Sequence, residues 1–168
     1  MGKLAAVAAS PLTTPNFTEF AYDSIEEAFP TVDPGVQPFG FMGVFQIRQP
    51  KYLTKGGIII VPDVEKDQHY NTQIARAILL GPLCFKSVKE IDGRDTIVEW
   101  PEGAWFKVGD FVRVPRYGGD RFFVNYKRET VEQGEKLTVK DQIIFAFFKV
   151  KDILGFVPNP LIGMAYLD

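Results

Sequence analysis

The chain has 168 residues, of which 46% are hydrophobic and 24% charged, a composition typical of a folded globular domain. Its net charge of −2 and pI of about 5.5 argue against a generally basic, nucleic-acid-binding surface. A single cysteine, Cys84, excludes an internal disulfide and fits a reducing compartment. No apolar run reaches the roughly 18 residues of a membrane span. We therefore expect a cytoplasmic protein that binds neither nucleic acid nor membrane.

Residues 1–35 differ in composition from the rest of the chain. They contain four prolines and stretches rich in serine and threonine. One short helix is predicted to begin after Ser24, whose hydroxyl can cap it while Glu27 reaches back, and to end before Pro30. We interpret this region as an N-terminal extension that does not form part of the core.

From about residue 36 onward, short strands alternate with turn sequences rich in glycine, proline and aspartate. This pattern predicts a mainly β fold, either a small barrel or a sandwich. The predicted strands cover residues 44–48, 74–80, 96–100, 111–114, 121–126 and 143–150.

The run from residue 143 to 148 is apolar at every position, whereas a strand with one face in water alternates apolar and polar residues. Both faces of this strand must therefore be covered. Either two layers of its own fold cover it, or its own core covers one face and a neighbouring subunit the other.

The stretch between the first two predicted strands, residues 49–73, is longer than most connections in compact domains. It contains Gly56 and Gly57 followed by Ile58, Ile59 and Ile60. One interpretation is a buried strand. The other is an apolar anchor on a mobile loop, which is exposed until it meets a hydrophobic groove on a partner.

Six sequence motifs occur in an order that resembles the GroES-type co-chaperonins (the chaperonin-10 family). The resemblance covers residues 36–157. The motifs are an opening strand (36–48), the Gly-Gly and isoleucine triplet (55–60), the strand after it (76–82), a Val-Gly-Asp turn with its strand (106–112), a Tyr-Gly-Gly turn (117–119) and the closing strands (143–157).

This resemblance implies a non-enzymatic protein without a cofactor. It implies a small GroES-like β-barrel over residues 36–157, with a mobile loop at about 49–73 and a C-terminal tail at 158–168. Such subunits form a homo-oligomeric ring, expected here to be a heptamer, that caps a GroEL-type chaperonin and encloses folding clients. The residues that match the chaperonin-binding motif are Gly56, Gly57, Ile58, Ile59 and Ile60. ATP is bound by the chaperonin and not by this chain.

Some parts of the sequence depart from a minimal bacterial member of the family. The N-terminal extension, the tail and residues 121–140 are additional, which is similar to the divergent co-chaperonins encoded by bacteriophages. The location would then be the host cytoplasm. Residues 86–104 correspond either to the hairpin that forms the roof of the ring or to an unrelated element.

Three other functions were considered. An enzyme is disfavoured because the chain has one histidine, His69, one cysteine and no Gly-x-Gly-x-x-Gly motif. A β-rich oligomeric viral structural or adaptor protein without chaperonin binding has the same composition. An oligonucleotide-binding barrel would use Phe122, Phe123 and Tyr126, beside basic residues, to stack bases, although core packing is the favoured explanation of these rings.

Overall fold

The computed structural model describes residues 22–49, 72–132 and 135–162. The protein is mainly β, as predicted, and every strand pairing is antiparallel. Within these ranges, no helix is of a length and hydrophobicity that could cross a membrane. In chain order the elements are α1 (Ile25–Ala28), β1 (Met42–Ile47), β2 (Ile74–Leu80), β3 (Lys86–Ile91), β4 (Arg94–Glu99), β5 (Phe111–Arg113), β6 (Asp120–Glu132), β7 (Glu135–Lys149), a 3-10 turn (Val150–Asp152) and β8 (Gly155–Phe156).

Six strands form one sheet in the order β6-β7-β1-β2-β5-β8, and β3 pairs with β4 in a separate hairpin. In the described part of the chain, β6 and β8 lie at opposite edges and no ladder joins them. The sheet is therefore open there, which differs from the closed barrel that we expected. The edge strand β8 has only two residues, so it offers too few backbone groups to complete a closing ladder.

The predicted strands are confirmed in position, and the strand at residues 74–80 is confirmed in its bounds. The last two are longer than predicted, because β6 and β7 remain paired as far as Glu132 and Glu135, through a part of the sequence rich in charged residues. The strand β3 was not predicted. Its sequence, Lys-Ser-Val-Lys-Glu-Ile, has too few apolar residues to stand out.

Strand β7 is covered on both faces by this chain itself. Ile144, Ala146 and Phe148 point into the main core, which also contains Phe45 and Ile47 of β1. The alternate residues Ile143 and Phe145 belong to a second cluster on the opposite face of the sheet, with Val44, Val32 and Phe122. Of the two explanations considered for the apolar run, coverage by the chain's own fold is therefore sufficient.

The described part of the N-terminal region packs onto the sheet. Ser24 caps α1 as predicted, accepting a hydrogen bond from the Glu27 amide at 3.1 Å. After the helix, Phe29 is completely buried and its ring lies 5.2 Å from that of Phe111. Gln46 Nε2 donates to the Pro30 carbonyl at 2.7 Å. Residues 22–35 thus differ from an extension outside the core, because they cover apolar surface that β1 and β5 would otherwise expose.

Candidate functional site

The five predicted chaperonin-binding residues, Gly56, Gly57, Ile58, Ile59 and Ile60, lie outside the described residues. They belong to the connection formed by residues 50–71. The structure describes the residues that flank this connection on both sides. These ends leave the sheet side by side, since the Arg48 amide donates to the Ile74 carbonyl at 2.9 Å. The described part of the candidate site is therefore the base of this connection. The base consists of Arg48 and Gln49 on one side and Thr72 and Gln73 on the other.

The first end is held by Arg48, which is buried although it carries a charge. Its Nη1 donates to the carbonyls of Pro160 at 3.0 Å and Ile162 at 3.2 Å. Its guanidinium also lies 5.0 Å from the centre of the Tyr22 ring. Burial lowers the pKa of Arg48, and the neighbouring Tyr22 opposes that shift. One cation thus joins the start of the connection to residues near both ends of the described chain.

Gln49 adds three contacts at the same end. Its amide donates to the Ala28 carbonyl at 2.8 Å, and its side-chain Nε2 donates to the Gln142 carbonyl at 3.1 Å. The Tyr22 hydroxyl donates to the Gln49 carbonyl. Because two separate chain segments, the N-terminal region and β7, bind this residue, the position at which the connection begins is fixed before residue 50.

The second end is held by Gln73, which is buried between two arginines. Its side-chain Oε1 accepts hydrogen bonds from Arg113 Nη2 at 2.9 Å and Arg116 Nε at 3.0 Å. Its backbone carbonyl accepts from the Val114 amide at 2.8 Å. Bonds to charged donors are stronger than neutral ones, so Gln73 ties the end of the connection to the segment that follows β5.

A further arginine, Arg121, contacts the second end of the connection. Its Nε donates to the Gly118 carbonyl at 3.2 Å, and its Nη2 lies 3.5 Å from the Thr72 carbonyl. Its guanidinium lies 6.0 Å from the centre of the Phe148 ring. Burial lowers the pKa of Arg121 to about 10, and the group remains a cation at neutral pH. Both ends of the connection are thus fixed to the sheet by buried polar contacts.

These base residues were not predicted from the sequence. The available signal was the pair of polar residues beside each apolar strand, Arg48 and Gln49 after β1 and Thr72 and Gln73 before β2. Such residues are usually solvated at strand ends. Only their partners, which come from residues 113–121 and from the ends of the described chain, show that they are buried.

Neither a metal-binding cluster nor an exposed cysteine occurs in the described residues. Across 22–49, 72–132 and 135–162, no group of three or more histidine, cysteine, aspartate or glutamate side chains could hold a metal ion. His69 lies outside these ranges. Burial raises the pKa of the Cys84 thiol, and its Sγ lies 3.5 Å from the Met42 carbonyl as a donor. A buried, protonated thiol is a poor nucleophile.

The aromatic residues considered for base stacking are used mainly for packing. Phe122 stacks on Phe145 with ring centres 5.6 Å apart, and Tyr126 packs on the same second cluster. Phe123 is 43% exposed on the other face of β6. The three rings therefore do not form one exposed platform.

The comparisons with known proteins give no family assignment. No family model matches the chain, and no curated protein is significantly similar to it. The resemblance to co-chaperonins consequently depends on the motifs and their order.

Proposed function

We propose that this protein is a GroES-type co-chaperonin, a non-enzymatic subunit of a ring that caps a GroEL-type chaperonin in the cytoplasm, of a host cell if the chain is viral. The observation that carries the proposal is the position of the Gly56 to Ile60 motif. It lies within a long connection whose two ends are held side by side by Arg48, Gln49 and Gln73. A connection that is fixed to the sheet at both ends and carries an apolar motif suits a loop that binds a hydrophobic groove on a partner.

The proposed binding is weak for one loop. Burying three isoleucine side chains contributes about 5–9 kcal/mol, at about 1.5–3 kcal/mol each. Ordering the backbone of a loop costs about 1–2 kcal/mol per residue. Fixing five residues, Gly56 to Ile60, therefore offsets most of the gain, and the glycines increase this cost because their backbones have more conformations to lose.

Assembly into a ring converts weak contacts into useful affinity. When one subunit has bound, the loops of the others are held close to their grooves, and each later contact is effectively intramolecular. Binding then stays reversible, because a small loss of affinity per groove is multiplied around the ring. In the proposed heptamer, each subunit contributes a body formed by the six-stranded sheet and its main core.

The hairpin β3–β4 is a second feature that suits the proposal. It lies within residues 86–104, for which the resemblance offers either the roof of the ring or an unrelated element, and it forms a sheet of its own. In the proposed ring, this hairpin projects over the central opening.

The experiment that tests the function is capping of a purified GroEL-type chaperonin in the presence of nucleotide. We expect the protein to sediment with the chaperonin and to appear as a cap in electron micrographs. Ile59→Asp should abolish capping while the ring still assembles, because a charge in the groove loses its hydration. Val108→Asp is the matched control, since Val108 is half exposed in the turn before β5, away from both the motif and the β3–β4 hairpin, and it should cap normally.

The alternative is a β-rich oligomeric viral structural or adaptor protein that binds no chaperonin. The exposed apolar residues Leu154 and Phe156 at the β8 edge favour an oligomer in either case. A ring that forms in solution but never binds chaperonin, with any nucleotide, would reject the co-chaperonin proposal and favour this alternative.

A further inference from the structure

An apolar groove lies at the other end of β1, away from the base of the 50–71 connection. It has a volume of about 460 Å³ and is partly open to solvent. Val150 is buried in it, while Phe39 is 88% and Phe41 40% exposed. Its apolar lining comes from Phe39, Phe41, Met42 and Trp100, and its charged lining from Lys149 and Lys151.

The backbone around this groove is held by hydrogen bonds and close packing. Gly40 lies in the left-handed region with φ of +55°, and its carbonyl accepts from the Leu83 amide at 3.0 Å. Gly81 approaches this turn so closely that a Cβ there would lie 2.4 Å from the Gly40 oxygen. The Val150 amide donates to the Phe41 carbonyl at 3.3 Å. Because these contacts hold the walls in place, a ligand would not have to order them.

The aromatic wall is fixed in the same way. The Trp100 amide donates to the Phe85 carbonyl at 2.9 Å, and the two rings meet edge to face with centres 5.6 Å apart. Trp105 packs against Trp100 with ring centres 4.8 Å apart. Because Phe85 and Trp105 pack against the Trp100 indole, its orientation in the groove wall is fixed.

The two charged side chains that line the groove are both lysines. Lys149 and Lys151 are both exposed, and among the residues that the structure describes no aspartate or glutamate lines the groove. Solvated cations beside an apolar surface select a ligand that combines apolar groups with negative charge. We propose that this groove binds an extended peptide segment of a partner protein, in which one or two bulky apolar side chains are flanked by carboxylates.

A peptide fits this surface better than a small apolar molecule does. The groove is partly open to solvent and its lining residue Phe39 is almost fully exposed, so the ligand can continue past the apolar part. The two lysines that line the groove are exposed and are separated in sequence only by the buried Val150. A peptide can bring carboxylates to both while its apolar side chain fills the space near Trp100. The inference is independent of chaperonin binding.

The test uses the full-length protein and a synthetic six-residue peptide, in which a leucine and a phenylalanine are flanked by two aspartates on each side. Trp105→Phe leaves Trp100 as the only tryptophan of the chain, so its fluorescence reports the groove. We expect saturable binding of this acidic peptide. Binding should weaken about tenfold when salt is raised to about 0.5 M.

Variants test whether the peptide binds in the groove or is held by nonspecific electrostatic attraction. Replacing both lysines, Lys149→Glu with Lys151→Glu, should weaken binding at least about tenfold, and Phe41→Ala should weaken it with the charges intact. Lys89→Glu on the exposed β3–β4 hairpin is the matched control and should bind normally. Equal binding of acidic, neutral and basic peptides would overturn the proposal. Binding of dodecanoate without binding of the peptide would also overturn it and would indicate an amphiphile site.

Discussion

The two hairpins of the structure share a topology but differ in burial. β3–β4 joins six-residue strands through Asp92 and Gly93, and β6–β7 joins much longer strands through residues 133–134. The strands of the first stand apart from the main sheet and are mostly exposed. The second supplies side chains to both hydrophobic clusters near its base.

The difference shows that pairing and burial are set by separate parts of the sequence. The β3–β4 hairpin is defined locally, because Asp92 and Gly93 both have positive φ, at 53° and 76°, as a two-residue type I′ turn requires. Its directly paired Val88 and Ile97 remain 48% and 58% exposed. Strand β7 is instead stabilised by covering residues that are distant in sequence, such as Val32.

The largest effect is expected in the buried hairpin. Phe145→Ala removes a ring that is completely buried in the second cluster and stacked on Phe122. We expect a loss of about 3–5 kcal/mol in the free energy of unfolding, measured by urea denaturation, because the site cannot collapse around the cavity. Phe123→Ala, at a 43% exposed position on β6, should cost clearly less. Equal losses would contradict the assignment of faces.

An intermediate effect is expected at the turn of the exposed hairpin. Gly93→Ala meets no neighbouring atom, so its cost arises only from the positive φ of 76°, about 1 kcal/mol. Hydrogen exchange of the β3 and β4 amides should become faster, while the six-stranded sheet stays protected. Gly93→Asn, which tolerates this conformation better, should restore much of the protection. Unchanged exchange in Gly93→Ala would argue against the type I′ turn.

The smallest effect is expected on the exposed faces. Val88→Thr replaces a methyl group that is half in water, and we expect the free energy of unfolding to change by no more than about 0.5 kcal/mol. Val44→Thr makes the same change at a completely buried position and should cost about 1–3 kcal/mol. Thermal denaturation of the two variants compares them directly, and similar shifts would show that the hairpin is more covered than the structure indicates.

Much of the local structure could be predicted from the sequence. The cap at Ser24, the strand from Ile74 to Leu80 and the turn at Asp92 and Gly93 each follow from residues within a few positions of one another. The strand β3 could not be found in this way, since Lys86–Ile91 is defined by its partner β4 rather than by its own hydrophobicity. The proposed chaperonin-binding residues, Gly56 to Ile60, remain a prediction from their motif.

What the sequence determined by itself was where most of the strands and turns lie, because backbone preferences and apolar runs act over short distances. Only the tertiary structure decided which surfaces are covered. Phe29 and Val32 close over the sheet from a region that looked like an extension, and Arg48 becomes buried because carbonyls near the other end of the chain accept its hydrogen bonds. Burial of a residue depends on its contacts with segments that are distant in sequence, and a local sequence pattern does not show which segments these are.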